Sequence, residues 1–176
     1  MTEETVVDLG AMQKIVRNSY LIILPNVVWL LIPLFALLTG NNLSWIMAAL
    51  ILACVFLNIS NVYLAVNWYY NQHRAKGTAY EGHFRNIDDI GFVTFFVTMI
   101  SALLFLMVSV IITNLFKSKA GVFMNYALEI ALTAVLIALA FWVVKRASVG
   151  LRAATKGEGY VVDPNAKLFG VFSAGT

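Results

Sequence analysis

The sequence predicts an all-α, polytopic membrane protein of four transmembrane helices, arranged as two hairpins with both termini on the cytoplasmic side. Three observations predict it. Of the 176 residues, 61% are apolar and only 12% are charged, and the mean hydropathy is +0.83, a composition that a domain covered by water does not have. The apolar residues fall into four runs, each able to cross a hydrocarbon core of about 30 Å at about 1.5 Å per residue. The basic residues are few in two of the connections between those runs and gather in the remaining segments.

The first run, 20–38, contains Pro25 and Pro33. Each proline removes a backbone donor, which predicts a kinked helix in which Asn26 satisfies a freed carbonyl. The glycine and asparagines of Thr39-Gly40-Asn41-Asn42 suit a tight turn, after which the second run, 44–70, ends in Trp68-Tyr69-Tyr70. Amphipathic rings of this kind favour the headgroup level. A polar segment from Asn71 to Asp89 precedes the third run, 90–116, and a turn at Lys117-Ser118-Lys119-Ala120-Gly121 leads to the fourth, 122–144. The membrane domain is therefore 20–144, flanked by a cytoplasmic segment 1–19 and a cytoplasmic tail 145–176.

Orientation follows from lysine and arginine, which are enriched in cytoplasmic loops. Lys14 and Arg17 precede the first span, Arg74, Lys76 and Arg85 lie in the middle segment, and Lys145, Arg146, Arg152, Lys156 and Lys167 follow the fourth span. Only Lys117 and Lys119 occupy a hairpin turn. Ten against two puts both termini and the middle segment inside.

The flanks carry their own signals. Met1 to Ser19 is acidic and polar, without a basic stretch leading into a short apolar core, which argues against a cleaved signal peptide. Thr5-Val6-Val7-Asp8 has capping-box character and Leu9, Met12 and Val16 follow at helical spacing, predicting a short interfacial helix. Beyond the fourth span, Lys145 to Lys156 continues the helix until Gly157, Asp163-Pro164 breaks it, and Leu168, Phe169, Val171 and Phe172 fold the tail back onto the membrane. The net charge of +3 is dispersed over interhelical segments rather than gathered on a basic domain, so membrane topology explains it and a nucleic-acid partner does not. The single cysteine, Cys54, sits in an apolar run and reads as packing.

The middle segment reads Arg74-Ala75-Lys76-Gly77-Thr78-Ala79-Tyr80-Glu81-Gly82-His83-Phe84-Arg85. It resembles the R-x-x-G-T-x-x-E-S-H-F-R signature of an uncharacterised bacterial inner-membrane family, itself loosely similar to the Tic-type channel family of the chloroplast envelope. The resemblance extends over roughly residues 62–170, and its matching positions are Arg74, Gly77, Thr78, Glu81, His83, Phe84 and Arg85. Gly82 stands where that family has serine, and Asn86-Ile87-Asp88-Asp89 where it has an aromatic-rich stretch. The resemblance implies a bacterial inner (plasma) membrane location and, by analogy, channel-like behaviour.

Inside the spans the chemistry-bearing residues are few. Glu129 is the one ionisable residue well inside a span, with Asn125 and Thr133 one turn to either side on the same face. An acidic side chain at a helix centre costs about 2.5 to 3.5 kcal/mol, so it is protonated, paired or facing water. It reads either as a proton or cation site, or as a protonated carboxyl bonded to a neighbouring helix near Ser109 or Thr113. Asn58 and Asn61 share a face of the second span, as do Ser60 and Asn67 with Tyr63 between them, and interhelical hydrogen bonds account for such amides as readily as a polar conduit does. His73, Glu81, His83, Asp88 and Asp89 lack metal-ligand spacing, the two histidines falling on a loop. Asp88 and Asp89 read as caps at the start of the third helix.

No nucleophile elbow, phosphate-binding glycine loop or redox cysteine pair occurs, so neither an enzyme nor a cofactor is expected. The leading expectation is a non-enzymatic accessory or assembly subunit that associates with itself or with other membrane proteins and meets anionic lipid headgroups through its basic segments. A small channel or transporter built around Glu129 is the second expectation, and an immunity or holin-like protein the third.

Overall fold

The computed structural model of the protein describes residues 8–38, 43–116 and 119–160. Four helices account for nearly all of them: α1 (Leu9–Leu38), α2 (Leu43–Ala75), α3 (Glu81–Leu115) and α4 (Lys119–Lys156). Each packs against its neighbours in chain order and α4 closes back on α1, while the diagonal pair α1 and α3 barely touch. The result is an up-down-up-down four-helix bundle.

Each helix contributes one stripe to the core. On α1 it runs Met12, Val16, Tyr20, Ile23, Val27 and Leu30, the three- and four-residue spacing that keeps side chains on one face. On α4 it runs Leu136, Ala140, Val143, Ala147, Gly150 and Ala154, and these small residues let α1 approach closely. Trp29 and Phe56 stack across the α1–α2 seam with centroids 4.3 Å apart and planes within 10°.

The outside of the bundle is as apolar as its inside. Phe123 and Phe141 are about three-quarters exposed, and Val28, Phe35, Ile59, Val62 and Met107 also project outward. Three helices, at Leu9–Phe35, Glu81–Leu115 and Lys119–Lys156, are long and apolar enough to cross a membrane. Helices of 30, 35 and 38 residues are about 45, 52 and 57 Å long, so each overshoots a hydrocarbon core of about 30 Å. The excess lies at the end of the bundle where α1 and α3 begin and α2 and α4 finish. That end carries the polar and basic residues and is called the polar head below.

Several expectations need correction. The segment from Asn71 to Asp89 is not a long loop: α2 continues to Ala75 and α3 starts at Glu81, leaving a connection of residues 76–80. Both histidines therefore sit on helices, and Asp88 and Asp89 lie two turns inside α3 rather than at its cap. Polarity ended the predicted spans, but a helix that has left the hydrocarbon needs no apolar residues to continue. For the same reason the expected interfacial helix does not exist separately. Leu9 to Leu38 is one helix, capped by Asp8, whose Oδ1 accepts the Ala11 backbone N–H at 3.0 Å. The helix is continuous through Pro25 and Pro33. Asn26 Nδ2 donates to the Ile22 carbonyl at 2.8 Å, not to Leu21, the carbonyl that Pro25 leaves without its helical donor. At the other end α4 stops at Lys156, where Gly157 takes a φ of 72°. Thr5 to Val7, the Thr39–Asn42 turn, the Cys54 side chain, Lys117-Ser118 and the tail from 161 onward lie outside the described residues.

Candidate functional site

The loop motif builds the joint between α2 and α3. Gly77 has φ 76°, the left-handed conformation that glycine adopts without penalty. Thr78 Oγ1 donates to the Ala75 carbonyl at 2.6 Å and accepts from the Tyr80 N–H at 3.2 Å. Glu81 reaches back so that its Oε2 accepts the Gly77 N–H at 2.8 Å, while its Oε1 pairs with Arg85 at 3.1 Å. Phe84 is buried in the core and Arg74 is exposed on the last turn of α2. The matched positions therefore hold a tight turn and its packing.

His83 is the one motif residue buried completely, and its partners fix its tautomer. Its Nε2 lies 2.8 Å from the Glu158 carbonyl oxygen, which only accepts, so Nε2 carries the proton. Nδ1 is then free to accept from the Tyr20 hydroxyl at 3.3 Å, and the Tyr20 oxygen in turn accepts from Asn86 Nδ2 at 2.9 Å. With the imidazole neutral, each donor in this chain meets an acceptor. Burial pushes the His83 pKa down from its ordinary value, opposed in part by the bond to Glu158. His83 lies seven residues before the apolar run that starts at Ile90, within the polar head. The rings of Tyr20, Tyr80 and Tyr160 surround it at centroid distances of 5.6 to 6.0 Å.

Glycines allow this cluster to close. A Cβ at Gly82 would collide with the Tyr160 carbonyl oxygen, and one at Gly150 would overlap the Tyr20 ring. The glycine that departs from the serine of the resembled signature is thus the one the segment after α4 rests on. Two further bonds complete the polar head. Gln13 Nε2 donates to the Ala154 carbonyl at 2.8 Å, and Arg146 pairs with Asp89 at 3.1 Å while its guanidinium stands 5.0 Å over the Trp142 ring. Among the described residues no three His, Cys, Asp or Glu side chains converge as metal ligands.

Deeper in the bundle a second polar feature appears. The buried stripe of α3 carries Thr94, Thr98, Ser101 and Ser109, four hydroxyls on the face turned to the bundle axis. Opposite, Glu129 and Thr133 occupy the core stripe of α4, with exposures of 3% and 4%. The contacts of Thr113 with Asn125 and of Asp89 with Arg146 set an antiparallel register in which Glu129 stands level with the turn of α3 that bears Ser109. Glu129 Oε1 has no hydrogen-bond partner. The Thr113 hydroxyl, one of the two partners expected for Glu129, accepts from Asn125 Nδ2 instead, at 3.4 Å.

The amides of α2 reach two places, and Asn61 borders both. Asn61 lines a cavity of about 20 Å³ on the bundle axis together with Asn26, Ser60 and Thr94, room for one water. Its Nδ2 and the Thr94 Oγ1 are buried without partners. Asn58 donates weakly to Met99 Sδ at 3.8 Å and faces the outer seam between α2 and α3. The sequence reading singled out Asn58, Asn61, Asn125, Glu129 and Thr133, but missed Tyr20, Asn86, Gly150 and the α3 hydroxyl row. The spacing of Thr94, Thr98 and Ser101 was the available signal for that row.

No family model matches the chain, and neither a curated protein nor a solved structure does.

Proposed function

We propose that this chain is a non-enzymatic integral membrane protein of four spans, α2 being the fourth, with its polar head in the cytoplasm, and that it handles protons or small cations at Glu129. The observation that carries this reading is the buried Glu129 carboxyl, whose Oε1 has no hydrogen-bond partner, at the level of the α3 turn that bears Ser109. An ionisable side chain at membrane depth is costly, and ion and proton paths are where such groups are kept. The hydroxyls of Thr94, Thr98, Ser101 and Ser109 and the amide-lined cavity beside Thr94 extend the polar series from that carboxyl toward the polar head. Such groups both donate and accept, which is what a relay requires. The ten-to-two distribution of basic residues supports the orientation, and the loop resemblance supports a bacterial inner membrane.

The test is reconstitution in liposomes carrying a pH-sensitive dye, with an imposed proton or cation gradient. Flux above empty vesicles that falls in Glu129→Gln and persists in Asn114→Ala is the expected result. Flux no greater than empty vesicles rejects the reading. The accessory-subunit reading then takes its place. It expects a discrete oligomer or a stable membrane partner on crosslinking in native membranes.

A further inference from the structure

The outer seam between α2 and α3 carries two openings, one above the other. The upper, about 250 Å³, lies in the polar head and is lined by Trp68, Gln72, His73, Lys76, Glu81 and Arg85. The lower, about 200 Å³, is mainly apolar and is walled by Val62, Ala65, Phe92 and Phe95, with Asp88 at its upper edge and Asn58 and Asn61 on its floor. They share one face of each helix. Asn61, Ala65, Trp68 and Gln72 follow one another at three- or four-residue steps on α2, as do Glu81, Arg85, Asp88, Phe92 and Phe95 on α3, and Lys76 follows just past the end of α2. A single furrow therefore runs from a cationic cleft into an apolar groove.

Its chemistry and its length both point to one class of ligand. Glu81 is already engaged on both oxygens, by the Gly77 N–H and by Arg85. Lys76, the remaining guanidinium donors of Arg85 and the Gln72 amide are left facing the cleft, and an arginine fork suits a phosphate. Trp68 stands between the two openings, and an indole there suits the boundary between headgroups and hydrocarbon. From Gln72 to Asn58 the furrow extends about 21 Å along α2 at about 1.5 Å per residue, close to one leaflet with its headgroups, about 20 Å. Val62 and Phe92 open outward along the lower part, with exposures of 63% and 43%. A tail lying there keeps continuity with the bilayer.

We infer that the α2–α3 seam is a binding site for an anionic phospholipid, its phosphate held by Lys76 and Arg85 and one acyl chain laid along Ala65, Phe92 and Phe95. The inference is independent of Glu129, which belongs to the opposite half of the bundle. The phosphate could equally come from a free anion, so the experiment separates the two sources.

Full-length protein in mild detergent is equilibrated with phosphatidylglycerol or with phosphatidylcholine of the same acyl chains, and retained lipid is counted by native mass spectrometry. Wild type is expected to retain phosphatidylglycerol about tenfold more than phosphatidylcholine, and Lys76→Gln with Arg85→Gln to lose about that factor. Ala65→Phe, which changes no charge, is expected to lower phosphatidylglycerol retention by filling the groove. Both charged side chains are exposed, and a thermal melt of each variant checks the fold. If the double variant melts early, Lys76→Gln alone is compared with wild type. Equal retention of the two lipids, or wild-type retention in the charge variant, overturns the proposal. Displacement of phosphatidylglycerol by millimolar inorganic phosphate, with Ala65→Phe indistinguishable from wild type, overturns it in favour of a free-anion site.

Discussion

Gly150 of α4 lies so close to the Tyr20 ring of α1 that a single added Cβ would overlap it. Alanine is favoured over glycine in a helix by about 1 kcal/mol, whereas overpacking a tight contact costs about 1 to 3 kcal/mol. Gly150→Ala is therefore expected to lower the thermal midpoint in detergent despite its better propensity. In a Tyr20→Ala background the overlap is gone, and the same substitution is expected to raise the midpoint. A stabilising Gly150→Ala in the otherwise native protein contradicts the close approach, because only the sign reversal between the two backgrounds reports it.

The neutral His83 makes stability depend on pH with a definite sign. Its pKa is lowered in the fold relative to the ordinary 6.5, so below that value the unfolded chain binds more protons than the native one. Its contribution is complete above about pH 6.5 and is lost as the pH falls through 6.5 toward the folded value. Unfolding midpoints measured from pH 8 down to 5 should fall more steeply in wild type than in His83→Gln, which keeps a donor toward the Glu158 carbonyl but does not titrate. Parallel curves for the two proteins remove this account of the residue.

Arg146 is nearly buried while its partner Asp89 is 43% exposed. Asp89→Asn leaves the guanidinium without its counter-charge, a loss of about 1 to 3 kcal/mol. Replacing both residues, Asp89→Asn with Arg146→Met, removes the stranded charge and is expected to be less harmful than the single change. Chemical unfolding of the set decides it, and strictly additive losses reject coupling between the two side chains.

How legible was this in the sequence? Helices were visible wherever lipid dictates the side chains, because a lipid-facing helix must be apolar on its outside as well as on its packed face. Past the apolar stretches of α2 and α3 that demand lapses, and polarity between Asn71 and Asp89 looked like a loop although only residues 76–80 turn. Glu129 was legible because a lone carboxylate is conspicuous in an apolar run. The hydroxyls of α3 were not, since serine and threonine bond to their own helix, as Thr98 does to the Thr94 carbonyl at 2.7 Å, and interrupt no apolar pattern. The His83 cluster was beyond reach for another reason. Tyr20, His83 and Glu158 are far apart along the chain, and nothing in one segment announces its partners.

The cross-helix polar bonds are unevenly distributed. Gln13 to Ala154, Tyr20 to His83 and Asn86, and Asp89 to Arg146 all sit in the polar head. Toward the far end, the pair Asn125 and Thr113 is exposed and long, at 3.4 Å. Dispersion resists separation but permits sliding, whereas directional bonds resist both. Among the described residues the molecule is thus mechanically graded along its axis, with most of its cross-helix polar bonds gathered at one end. Directional bonds therefore hold the helices in register more firmly around His83 than around Glu129.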